Sequence, residues 1–247
     1  MFKTSAHSKV STAVRTGLAL LSLLVLSACA TQSFRATQVA EAGISNRKVV
    51  LMPIDIELSI LHAGGTLEPQ AAWTQDGQRH LGQALRNQLQ ATAVEMILPE
   101  QDASVADLDP EQIQLVKLHN AIGSSILTHQ YPEAGLKLPT KGDDFDWTLG
   151  DGAQVLKRAH DADYALFVYV RDSYSSAGRV ALQTFVAILS LGRAIVPGGQ
   201  QVGFASLVDL NSGQVVWFNR LARETGDLRT ADEAAETAEV LLDNFPG

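Results

Sequence analysis

The chain has a single cysteine, Cys29, so no disulfide can close within it and no cluster of thiolate ligands can form. Its histidines are scattered, without an HxH or HxxxH pair, which withholds the clustered ligands that zinc chemistry needs. No glycine is followed by Lys-Ser or Lys-Thr, so Gly64-Gly65 and Gly198-Gly199 are not phosphate loops. Cationic residues are outnumbered, 19 to 27, and the net charge of −8 disfavours broad electrostatic contact with nucleic acid or anionic lipid headgroups. Basic residues do not interleave with aromatics. Gly123-Ser124-Ser125-Ile126 is no nucleophile elbow and lies in a helix-like stretch, which disfavours hydrolase activity. Neither a catalytic residue nor a cofactor is expected.

What is present begins at the amino end. Residues 1–28 carry Lys3, Lys9 and Arg15 and no acid, then an apolar run from Leu18 to Leu26. That run is too short to span a bilayer, and the pattern is that of a secretory signal peptide. It ends in Leu26-Ser27-Ala28-Cys29, which resembles the lipobox of bacterial lipoproteins. The resemblance implies cleavage after Ala28, a thioether-linked diacylglycerol on Cys29 and an N-acyl chain such as palmitate on the new amine. Losing three positive charges would take the net charge from −8 to −11. Two or three acyl chains give firm anchoring. By the sorting analogy, Ala30 in place of aspartate after the cysteine favours the periplasmic face of the outer membrane.

Residues 29–46 are small and polar and read as a lipidated tether. From residue 47 to 247 the pattern is that of one α/β periplasmic domain. The run KVVLMPIDIEL predicts a strand buried on both faces. Leu81, Leu85 and Leu89 mark one stripe of a helix over 76–92, and Val94 to Leu98 reads as a short strand. Asp109-Pro110-Glu111 opens a helix to about His129 through Ile113, Val116 and Ile122. A helix from Gly150-Asp151-Gly152 to His160 leads through Asp161-Ala162-Asp163 into the strand Tyr164–Val170. Asn211-Ser212-Gly213 predicts a tight hairpin between strands at 201–209 and 214–223. A last helix, Asp232 to Leu242, would turn Ala231, Ala234, Ala235, Ala238, Leu241 and Leu242 inward. Strands alternating with helices, then a hairpin, predict a mixed sheet flanked by helices.

Three of these pieces together resemble the family of periplasmic lipoproteins with a TolB amino-terminal-like domain, the curli-secretion lipoprotein among them. They are the strand VVLMPID, the Asp161-Ala162-Asp163-Tyr164 junction and the hairpin SLVDLNSGQVVWF. The resemblance implies that fold, no catalytic residues, and a scaffold or assembly role in an envelope secretion or cell-wall complex. Its alternative is an oligomeric channel or export-collar subunit contacting the membrane through residues 180–196.

The acidic loop at Asp143, Asp144, Asp146 and Asp151 fails as a calcium loop. Counted from Asp144, position five is Thr148, six is Leu149 and twelve is Val155. A solvated loop, with Asp151 capping the next helix, is expected instead. His62, His80, His119, His129 and His160 are expected on exposed helix surfaces.

The segment 180–196, VALQTFVAILSLGRAIV, is apolar nearly all round and short for a membrane span, with Gln183 and Arg193 inside it. It forms an apolar insertion, 180–199, before the hairpin. Three roles are open to it: a core helix, a membrane contact, or an interface with a protein partner or another copy. Phe185, Ile188, Leu189, Leu191 and Ile195 are the candidate contact residues. Gly and Ser stretches on either side read as hinges.

Overall fold

The computed structural model describes residues 33–35, 43–100, 103–131, 136–141 and 144–247. Leu26, Ser27, Ala28 and Cys29, and with them the cleavage and lipidation sites, lie outside the described residues.

The apolar run from Lys48 forms two strands, not one. β2 (Lys48–Leu51) stops at Met52-Pro53-Ile54 and β3 (Asp55–Leu61) resumes beyond. Proline has no N–H to offer a ladder, so pairing breaks where Pro53 sits. β6 (Tyr164–Ser175) is long enough to serve both pieces. It pairs in parallel with β2 through Tyr164–Leu166 and with β3 through Tyr169–Ser175. β5 (Glu95–Ile97) lies parallel to β2 on its other side, and β4 (Leu67–Pro69) turns back antiparallel on β3. β7 (Gln201–Asp209) and β8 (Val215–Arg223) continue the sheet antiparallel to β6. β1 (Ser33–Arg35) closes the far edge against β8. The result is an eight-stranded mixed sheet in the order β5-β2-β6-β7-β8-β1, with β3 and β4 off that path.

Alternation along β6 builds two cores. Leu166, Val168 and Val170 face α1 (Ala71–Leu89) and α5 (Ala231–Leu241); Ala165 and Phe167 face α2 (Pro110–His129) and α3 (Gln154–His160). Leu81, Leu85 and Leu89 are buried as their spacing predicts. On α5 the inward set is Ala234, Thr237, Ala238 and Leu241; Ala231 and Ala235 are exposed.

Two junctions explain why their residues look as they do. Asp161 takes left-handed φ (50°) as the carboxyl cap of α3. The Asp163 carboxylate then accepts from the Lys48 backbone N–H at 3.2 Å, and Asp163 N–H returns a bond to Lys48 O at 2.9 Å. The strand that follows is thereby set in register with β2. At the β7–β8 hairpin Gly213 has φ +73°, and a Cβ there would fall 2.2 Å from Gly150 O.

Three further expectations need correction. The stretch expected as tether contributes β1 and Ile44, which is buried in the core, so part of it belongs to the fold. Phe34 stacks on Phe145 at 5.2 Å and supplies what the small polar sequence around it hides. Asp151 caps nothing: it sits exposed in a 3₁₀ turn, Gly150–Ala153, and Ala153 precedes α3 without a side-chain cap. His119 is no surface residue; it lies buried between α2 and the sheet, while His62, His80, His129 and His160 are half-buried, His62 just after β3 rather than on a helix.

Candidate functional site

The insertion between β6 and β7 forms a finger. Ser176 opens it, its hydroxyl accepting from Arg179 N–H at 3.2 Å, and α4 (Ala177–Leu189) follows. The helix ends in a Schellman turn: Leu191 N–H reaches Ile188 O at 3.2 Å and Gly192 N–H reaches Ala187 O at 2.7 Å. The turn puts Leu191 at φ +53°, where glycine is usual. The chain then runs back beside α4 to Gly199. None of the residues of α4 is buried.

Polar contacts fasten the root. Arg179 donates to Pro197 O (3.0 and 2.7 Å) and to Ala63 O (3.2 Å), and Gln183 donates to Val196 O at 3.1 Å. Ser175 Oγ accepts from Gly199 N–H at 3.1 Å, and Ser173 Oγ bonds both the N–H and the carbonyl of Gln200. A Cβ at Gly199 would lie 2.0 Å from Ser173 O. The flanking serines and glycines expected as hinges are therefore clamps.

Below the root the sheet end is tied down by a buried network. Asp172 Oδ2 accepts from Tyr174 OH (2.6 Å) and Gln201 Nε2 (3.0 Å), and Thr237 Oγ1 donates to Gln201 Oε1 at 2.9 Å. Leu228 N–H donates to Tyr174 OH at 3.0 Å, and the Arg229 guanidinium lies over the Tyr174 and Trp73 rings. Burial raises the Asp172 carboxyl above its ordinary range, its two hydrogen bonds notwithstanding.

All five predicted contact residues are exposed on this finger: Phe185 60%, Ile188 68%, Leu189 69%, Leu191 82% and Ile195 86%. The core-helix role is excluded by these values. Leu182, Gln183 and Val186 form the half-buried side; the outer side is open.

Sequence reasoning missed one constellation. His119 Nε2 lies 2.6 Å from Ser206 Oγ, and His119 Nδ1 lies 3.2 Å from Asn120 Oδ1. Asn120 Nδ2 donates to Asp55 Oδ2 at 2.6 Å, and Asp55 pairs with Arg171 at 2.7 Å. That anchor turns Asn120 Oδ1 toward the imidazole, which assigns the proton to Nδ1 and leaves Nε2 to accept from Ser206. The pair has the geometry of a serine and its base. It is sealed: His119 is 2% and Ser206 1% exposed, with Phe167 stacked on the ring at 4.2 Å. Burial lowers the His119 pKa to about 4. The residues are far apart in the chain, so no local signal marks them.

A cavity of about 490 Å³ lies at the carboxyl ends of β2 and β5, lined by Met52, Ile97, Leu98, Glu100, Asp107 and His160 among others. The His160 Nε2 is buried without a hydrogen-bond partner, and the Ser104 hydroxyl in the same lining donates to Asp107 Oδ2 at 2.8 Å as the cap of a 3₁₀ turn. Among the described residues no group of three or more His, Cys, Asp or Glu is placed to hold a metal ion, and no helix is long and apolar enough to cross a membrane.

No protein-family model matches the sequence, and no curated relative matches it. Among solved structures the chain is similar to the PelC dodecamer from Paraburkholderia phytofirmans at 12% identity and TM-score 0.37, covering 89% of this chain and 100% of that one. It is also similar to the LpoB C-terminal domain from Salmonella enterica at 12% identity and TM-score 0.30, covering 76% and 90%. At such values the fold assignment rests on the strand order and register given above.

Proposed function

We propose that this chain is a lipoprotein, anchored by acylated Cys29 at the periplasmic face of the outer membrane. It acts there as a non-enzymatic scaffold or assembly factor in an envelope complex. One observation carries the reading: the element this fold displays is a firmly rooted helix whose apolar side chains all lie outside the core, while the His119–Ser206 pair is sealed. An apolar surface of that kind is a contact element.

Light scattering of the acylated protein, gently extracted in detergent, tests the scaffold role. A monomer is expected. A discrete ring of copies would favour a channel or export-collar subunit and make the finger a contact between subunits.

A further inference from the structure

The register of β1 fixes which end of the sheet the amino-terminal segment leaves. Ser33 lies opposite Asn219 and Arg35 opposite Trp217. β8 runs on from Asn219 to Arg223, which lies opposite Gln201 at the finger root. The amino end of β1 therefore points toward the end of the sheet that bears the finger. Cys29 is four residues before Ser33, so whatever path the chain takes the two lie at most about 14 Å apart. Asn219 and Arg223 are also about 14 Å apart along β8. A finger helix of 13 residues, about 20 Å long, is of the same scale as these distances.

Charge singles out the same element. From Ser173 to Val208 there is no acidic residue, in a chain of net charge −8; the charges present are Arg179 and Arg193. Arg179 is spent on the root, whereas Arg193 is exposed between Leu191 and Ile195. Exposed Leu67 lies at this end too, paired with Leu61, which pairs with Ser175. Leu191 holds its left-handed conformation with its side chain in solvent, a strain that no packing repays.

We propose that the finger is a second membrane-binding element. It lays Phe185, Ile188, Leu189, Leu191 and Ile195 into the leaflet that holds the acyl chains of Cys29, with Arg193 at the level of the lipid phosphates. The helix is too short to cross the hydrocarbon core and lies in the interface. This inference rests on the anchoring of Cys29 proposed above.

The test uses the full acylated protein in phosphatidylethanolamine–phosphatidylglycerol vesicles, with an environment-sensitive fluorophore on Leu191→Cys or, as control, on Lys117→Cys of α2. A thioether-linked Cys29 takes up no maleimide, so labelling of the parent protein would overturn the anchoring and not the finger. With the parent unlabelled, we expect lipid-borne quenchers to remove most of the signal at 191 and little at 117, and aqueous iodide to do the reverse. Iodide quenching at 191 equal to that at 117 would overturn the proposal. So would shielding at 191 from both quenchers, which would mean burial against protein. Leu191→Gly should lower lipid quenching of a label on Ile188→Cys without lowering the melting temperature.

Discussion

The buried imidazole makes the stability of this domain pH-dependent in a calculable way. His119 is packed against Phe167 and Phe204, and burial holds its pKa at about 4, against the ordinary 6.5. The unfolded chain therefore binds a proton at 119 that the folded chain refuses between those values. Stability is complete above pH 6.5, falls as the pH drops through that window, and levels off below about 4. At pH 5 the unfolded state is almost wholly protonated at this site and the folded state about one-tenth so, which costs about 2 kcal/mol relative to pH 7.5. That is a sizeable share of a typical domain's 5–15 kcal/mol, an order-of-magnitude range. Asp172 works with the opposite sign: its raised carboxyl contributes stability at low pH that is lost as the pH rises through its folded pKa. Urea unfolding at pH 7.5 and 5.0, for the parent and for His119→Gln, isolates the histidine. We expect the difference between the two pH values to shrink by about 2 kcal/mol in the variant, whatever its own stability. An equal pH dependence in both proteins would refute the assignment.

Gly123→Ala should destabilise by roughly 2–3 kcal/mol in the same assay, because its Cβ would fall 2.1 Å from the Phe204 ring, itself fully buried against Phe218 and Tyr169. Asp109→Ala should cost about 1 kcal/mol, since its carboxylate accepts from both Glu111 N–H and Gln112 N–H at 3.0 Å at the start of α2. Leu191→Gly should leave stability unchanged or raise it by up to about 1 kcal/mol, measured as the melting temperature, because glycine removes the left-handed strain. A marked fall there would show that the exposed leucine supports the fold.

Local signals were legible wherever local chemistry decides. The leucine stripe of α1, the Asn211-Ser212-Gly213 hairpin and the opening of α2 at Asp109-Pro110 all stand where pattern and capping put them. What was hidden depends on distant partners. The break at Pro53 lies inside an unbroken apolar run, and only the two-part pairing of β6 makes two strands of it. β1 is short, in a small polar stretch, and gains its place from the unpaired edge of β8 and the ring of Phe145. The buried stripe of α2 runs through Gln112, Leu115, Val116, His119, Gly123 and Ile126, so periodicity of apolar residues pointed partly to the wrong side. The finger shows the same limit. An apolar helix reads alike whether it is buried or displayed, and the exposure of Phe185 and Ile188 became visible only in three dimensions.

The lipid at Cys29 is tested directly by the mass of the amino-terminal peptide from protein purified out of the outer-membrane fraction. We predict a peptide beginning at Cys29 and carrying a diacylglyceryl group on sulfur and an acyl chain on its amine. A peptide beginning upstream of Cys29, or one with a free thiol at that position, would contradict the anchoring and the membrane geometry argued from it.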